Sequence, residues 1–220
     1  LFTYVCQGSS FLSPRAYALL HRMHHAYSDT EMDPHSPHFS NNAFDMMWKT
    51  KVIYNDVVND VHEGAKRFDG DIPEWSWLDK FGGTVYSRMG WGTAYVLFYI
   101  NFATAWWQYL LLPIHFLMGP IHGAIVNWGG HKYGYQNFDN HDKSRNTLAL
   151  DFLAFGELFQ NNHHKLPMRV NFGVKWWEFD PTYVAIWSLD KVGIIKVKRK
   201  NRNLNTISKL AKPERKAVAA

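Results

Sequence analysis

Twelve histidines stand among 220 residues, and their grouping points to chemistry. His21, His24 and His25 fall at i, i+3 and i+4. At about 100° per residue they occupy an arc of about 100°, so one helix face would present three imidazoles. His163 and His164 repeat the geometry, with Gln160 in the i position three residues earlier, and Asn127 and His131 form an i, i+4 pair. Six buried imidazoles gathered without a metal would leave many donors and acceptors unmatched. His21, His24, His25, His131, His163 and His164 are therefore expected to bind metal. Cys6, the single thiol, lies outside every cluster. Imidazole-rich sites suit iron, zinc or copper, and six ligands exceed what one ion needs.

Competing metal motifs are missing. No Glu-x-x-His of the soluble di-iron bundles occurs, and His62-Glu63 is followed by no second histidine at zinc-protease spacing. Two carboxylates are candidates to accept the other ring N–H of a ligating imidazole. Glu157 lies seven residues before His164, within about 20° of it around a helix, and Asp29 follows His25 by four. Both read equally well as helix-surface charges. His35, His38, His62, His115, His122 and His141 lack a partner at ligand spacing or face away from one, and are expected to be structural or solvent-facing.

Helices must position these groups. Ser13-Pro14 reads as an N-cap followed by proline at the first helical position, opening a helix over Arg15–Tyr27. Asp29–Asn42 is loop chemistry, with Asp33-Pro34 and Ser36-Pro37 turning the chain away from helix. An amphipathic stretch follows at about Phe44–Lys66, and Gly70–Pro73 and Gly82-Gly83 are breaks. Asn146 is placed to cap a helix running through His164, with Leu148, Phe152, Phe155 and Phe159 at helical spacing. Asp180-Pro181 repeats the cap signal for a helix to about Val192. Leu1–Ser10 reads as the interior of a helix already under way, so the chain is expected to lack its beginning.

The 43 residues Met89–His131 contain no Asp, Glu, Lys or Arg. That is about twice the roughly 20 residues a spanning helix needs, with Pro113, Gly119 and Pro120 near its middle. The reading is a transmembrane helical hairpin: Trp91–Leu112 in one direction, about Pro120–His131 in return, Arg88 and Lys132 on one side. A buried hairpin in a soluble core is the alternative, and the rest of the chain has too little apolar sequence to wrap it. The formal charge of +5 conceals an asymmetry: residues 191–220 hold ten basic side chains against Glu214 alone, giving +9, and residues 1–190 carry −4. A general nucleic-acid-binding face is thereby disfavoured. The basic tail reads first as a solvated, disordered end, and any role it has would be to mark the cytoplasmic side. The fold class expected is all-α, an integral membrane protein with a histidine-rich cytoplasmic cap, divided into a domain over 1–195 and a tail over 196–220.

The motifs also carry a resemblance. His21-Arg-Met-His-His-Ala-Tyr-Ser-Asp-Thr-Glu-Met-Asp-Pro-His35 resembles the second histidine box of the membrane fatty acid desaturases. Asn127-Trp-Gly-Gly-His131 is similar to the Asn-x-x-x-His of their acyl-CoA branch, and Gly156-Glu-Leu-Phe-Gln-Asn-Asn-His-His-Lys-Leu-Pro167 to the third box. The likeness covers about residues 1–195. Gln160 stands where many members have histidine, and the first box is absent, expected before Leu1. The resemblance implies a non-haem di-iron centre held by the six histidines, with Asn127 and Gln160 acting through water. It implies O2 as co-substrate, a fatty acyl substrate linked to CoA or lipid, and an electron donor of ferredoxin or cytochrome b5 type. The product would be a double bond in the acyl chain. A lipid or alkane hydroxylase fits the same resemblance, and a histidine-rich membrane metal transporter is an alternative from another class. A transporter would be expected to place its ligands along spanning helices, whereas these clusters lie at helix ends.

Overall fold

Ser13 caps the first long helix as its sequence predicts: the hydroxyl accepts from Ala16 N, and Pro14 opens α2, Pro14–Tyr27. In the computed structural model, residues 1–147, 151 and 154–197 are described. They are helical, with isolated bridges and no ladder, and the chain divides into two compact units between Ala124 and Ile125.

The first unit begins with α1, Phe2–Gln7, followed by α2 and by α3, Ala43–Val58, which Asn42 caps through Asp45 N. Ala16, Leu19, Leu20 and Met23 form the buried stripe of α2 and meet Val57 of α3 and Ala65 of the short α4, Glu63–Lys66, with Ile53, Tyr54 and Phe68 around them. Each fully buried Leu there contributes roughly 1.5–3 kcal/mol. The opposite flank of α2 is polar, and its arginines tie down the segment after α3. Arg15 pairs with Asp60, Asp69 and Glu74 at 2.9, 2.6 and 3.3 Å, and Arg22 donates to the carbonyls of Phe68 and Gly70. The amphipathic stretch expected over Phe44–Lys66 is thus two helices, parted where Asp60 takes φ 58°.

After α5, Ser76–Gly82, the charge-free region departs from the expected hairpin. The first arm, expected as Trp91–Leu112, begins earlier and stops sooner: α6 runs Val85–Phe102. Residues 103–105 are not helical, because the Gln108 side-chain oxygen accepts from Thr104 N and Ala105 N and starts a 3-10 turn over Trp106–Leu111. Then come α7, Leu112–Phe116, and α8, Met118–Ala124. Among the described residues no single helix is long and apolar enough to cross a membrane; Trp106–Phe116 and Met118–Lys132 are so only together, bent by 73°. Leu97, Phe98, Ile100 and Phe102 are each more than half exposed, so α6 is not a core helix of this chain.

The second unit opens with a π turn, Ile125–Gly129, leading into α9, Gly130–Lys132. Arg145 N donates to Gly130 O, and Asn146 bridges Tyr135 on one side and Phe159 on the other. The helix expected from Asn146 through His164 is therefore corrected. Asn146 is buried in an extended segment, Phe155 and Gly156 take φ 56° and 95°, and α10 is confined to Gln160–Lys165. Gly156 also has no room for a side chain, since a Cβ would lie 2.4 Å from Asp180 Oδ1. Leu148 and Phe152 of the proposed stripe, and the tail from 198 onward, lie outside the described residues. The last helix is as expected: Asp180 accepts from Tyr183 N and Pro181 opens α11, Pro181–Lys191.

Candidate metal centre

In the first unit, His21, His24 and His25 occupy the last two turns of α2. His21 and His25, one turn apart, turn their Nε2 atoms toward each other at 3.1 Å, with Tyr17 stacked on His21 one turn below. Two imidazoles bound at right angles to one ion, each about 2.1 Å from it, place their nitrogens about 3 Å apart, so this pair has the spacing of neighbouring ligands. His24 faces inward. Its Nδ1 lies 2.9 Å from Asp33 Oδ1, with both side chains buried. The loop after α2 is folded around that carboxylate: Oδ1 also accepts from His35 N and Oδ2 from Asp29 N, Asp29 taking φ 58°.

His35, expected to be structural or solvent-facing, is buried, and its ring centre lies 4.3 Å from that of His24. Ligand atoms of His24, Asp33 and His35 fall within 4.8 Å of one another, a group that could hold a metal ion. His35 has no helical spacing to His24, but Asp33-Pro34-His35 was already visible in the motif. Asp29 accepts from Ser36 Oγ and lies 3.8 Å from His38 Nε2. Asp33 is a carboxylate that holds a box histidine in this unit.

In the second unit, His131 is buried on α9 and its ring lies 4.9 Å from that of His164. His163 stacks on Phe172, centroids 4.3 Å apart. His164 Nδ1 meets Asp142 Oδ2 at 2.7 Å. Burial pushes the Asp142 carboxyl up, but the hydrogen bonds from His164 and Ser144 prevail and hold it well below the usual carboxylate range. Asn127 sits in the π turn, a feature frequent at functional sites that the spacing did not indicate. Gln160 is buried, donates Nε2–H to Glu157 O at 2.6 Å, and packs on Gly130, where a Cβ would approach its Cγ to 2.5 Å. Gly130 thus makes room for Gln160 beside His131. The helical argument for Glu157 fails, because residues 155–158 form a turn rather than part of the His164 helix.

A polar network fixes the histidine group of the second unit. Glu178, buried, accepts from Tyr135 OH, Asn137 Nδ2, Asn162 Nδ2 and the backbone N–H groups of Val174 and Lys175. Asn161 Oδ1 receives Asn137 N and Phe138 N, and Asn162 Oδ1 receives Asn137 and Asn146 side-chain amides. Sequence reasoning missed Glu178, which lies in Trp176-Trp177-Glu178-Phe179 with no periodic partner.

Acidic neighbours of the network repel one another. Burial, with Asp180 adding to it against the hydrogen bond from Leu158, pushes Asp151 up to about 6, and burial followed by Asp180 and Asp151 pushes Glu157 up to about 7. A carboxyl whose folded value is raised gives its full stability below its unfolded value, near 4, and loses it as pH rises through the folded one. The wild-type protein should therefore lose about 1–2 kcal/mol between pH 4 and pH 6 on account of Asp151, after discounting for solvent screening. Asp151→Asn keeps an oxygen for Leu158 N and should remove that part of the pH dependence. Denaturant midpoints in detergent across pH 4–8 test this; parallel curves for the two proteins would refute it.

The histidine groups can thus hold metal, through imidazole and carboxylate donors without thiolate. Comparison with known proteins gives this chemistry its setting. Residues 1–193 match the fatty acid desaturase family. The chain is similar to an sn-1 stearoyl-lipid 9-desaturase of Anabaena variabilis, 29% identical over 87% of this chain and 66% of the relative. It is 32% identical to an sn-1 stearoyl-lipid 9-desaturase of a Synechocystis species, over 88% of this chain and 57% of the relative. A hex-5-enoyl-[acyl-carrier protein] acetylenase of Moorena producens is 28% identical over 82% of this chain and 59% of its own length. The chain spans between 57% and 66% of the length of these curated relatives. The match over nearly all of the described residues, carrying the histidine clusters with it, shows that the chain belongs to the fatty acid desaturase family.

Proposed function

We propose that the protein is an oxidoreductase that introduces a double bond into a fatty acyl chain carried on CoA or lipid. The observation that supports this most directly is the His21–His25 pair, whose Nε2 atoms are at neighbouring-ligand spacing on a helix of a desaturase-family chain. His21, His24, His25, His131, His163 and His164 are the proposed ligands of two non-haem irons, with Asn127 and Gln160 acting through water. Iron would supply activation of O2 for removing two hydrogens from adjacent methylenes, C–H bonds that no side-chain acid or base can break.

The chain's own contribution is positional. Asp33 and Asp142 accept Nδ1–H from His24 and His164, which makes Nε2 the metal-facing nitrogen in each. Gln160, with one amide N–H on Glu157 O, has its oxygen left to present to a water. The exposed apolar side chains of α6 and of Trp106–Leu111 fit a membrane setting, with the histidine clusters on its cytoplasmic side. A ferredoxin or cytochrome b5-type carrier would deliver the two electrons.

The test is acyl analysis. The complete gene product, expressed in a host with a matching electron donor, should yield O2-dependent monounsaturated chains, located by mass spectrometry of derivatised double bonds. Hydroxylated chains, or unchanged lipids with iron-loaded protein, would refute desaturation.

A further inference from the structure

We propose that Asp142 is a positioning residue for His164, acting on the metal through that imidazole; this rests on the metal-binding reading above. Asp142 lies 22 positions before His164, with no spacing to mark it. The structure nevertheless surrounds it with contacts suited to holding one oxygen still. Oδ2 receives His164 Nδ1, and Oδ1 receives both the backbone N–H and the hydroxyl of Ser144. Ser144 is fully buried. Asn140 Nδ2 donates to Ser144 Oγ and to Asn161 O, and Gln136 Nε2 donates to Ser144 O. The loop carrying Asp142 is thus bonded to the backbone of α10, the helix that carries His164. Carboxylate and imidazole are held in one frame.

The chemistry follows from the donor inventory. An ionised carboxylate only accepts, so Nδ1 of His164 must carry the hydrogen, and in the neutral ring that ligates a metal Nε2 is the unprotonated nitrogen. The nearby negative charge makes that nitrogen a better electron donor and fixes the ring plane. A bare buried pair of this kind would be a poor stabiliser, since desolvation offsets its attraction. The contacts from Ser144 relieve part of that cost, and the product is orientation rather than stability. The same arrangement recurs independently in the first unit, where Asp33 holds His24 Nδ1 and is itself held by two backbone N–H groups.

The experiment is a double-mutant cycle on iron affinity in the complete gene product, measured by chelator competition, with Mössbauer spectra of the loaded proteins. Asp142→Ala should lower iron affinity about 10–100-fold and change the quadrupole splitting of one iron. Asp142→Asn removes the charge and keeps one acceptor oxygen, enough for His164 Nδ1–H or for Ser144 but not for both, and should show a smaller loss. In a His164→Ala background, Asp142→Ala should add no further loss, because its effect runs through that ring. Additive losses would mean a general structural role and overturn the proposal, as would wild-type affinity and spectrum in Asp142→Ala. Should Asp142→Ala fail to fold, Asp142→Asn decides: wild-type affinity and spectrum there overturn it too. A wild-type protein that takes up no iron would instead overturn the metal-binding reading itself.

Discussion

Replacing His164 with alanine in the complete gene product should strip most of the bound iron and lower acyl desaturation at least about 100-fold, more than loss of an outer hydrogen-bonding partner costs. Gln160→Ala should behave differently. One Gln160 N–H donates to Glu157 O, a group that can only accept, which orients the amide and leaves its oxygen available to the centre. An amide oxygen is a weaker donor than imidazole and is expected to act through water. Gln160→Ala should then retain most of the iron while losing activity. Iron per protein and product formation, measured on the same samples, separate the two variants. Equal iron loss would make Gln160 a direct ligand, and an unaffected Gln160→Ala would remove it from the site.

Glu178→Ala should be the most destabilising single substitution in the second unit, by about 3–5 kcal/mol. Five donors converge on its two oxygens at 2.6–2.9 Å, and truncation would leave each of them facing a void. Each orphaned donor costs about 1–3 kcal/mol in isolation, with relaxation keeping the total below the sum. Against a total stability of about 5–15 kcal/mol, the loss is large. Glu178→Gln keeps one acceptor oxygen and should lose only about 1–3 kcal/mol. Denaturant midpoints in detergent test both, and a Glu178→Ala loss below about 1 kcal/mol would refute the network's role.

Local signals were the legible part of this chain. Ser13-Pro14 and Asp180-Pro181 announce their helices because a side-chain cap and a proline at the first turn act within four residues. The grouping of His21, His24 and His25 needed only helix periodicity. Periodicity also misled. Leu148, Phe152, Phe155 and Phe159 keep helical spacing, yet positive φ at Phe155 and Gly156 ends any such helix before α10. Gly156 stood as the warning inside that stripe. In the charge-free region, apolarity marks the solvent a segment prefers but not where its hydrogen bonds break, so the stop at residues 103–105 went unread. Asp33, Asp142 and Glu178 act across loops, where no period links a carboxylate to its partner. Only tertiary structure could assign them.

The two carboxylate–imidazole pairs bear on how the protein would take up the proposed metal. Asp33 follows His24 by nine positions and Asp142 precedes His164 by 22, so each pair closes a short loop within its own unit. The entropy of ordering these rings is therefore spent during folding and not when an ion arrives. Small zinc domains do the reverse: they are unfolded until the ion gathers their ligands. Because the chain itself supplies the hydrogen bonds that orient these rings, removal of the proposed iron should leave a folded protein that can be reloaded.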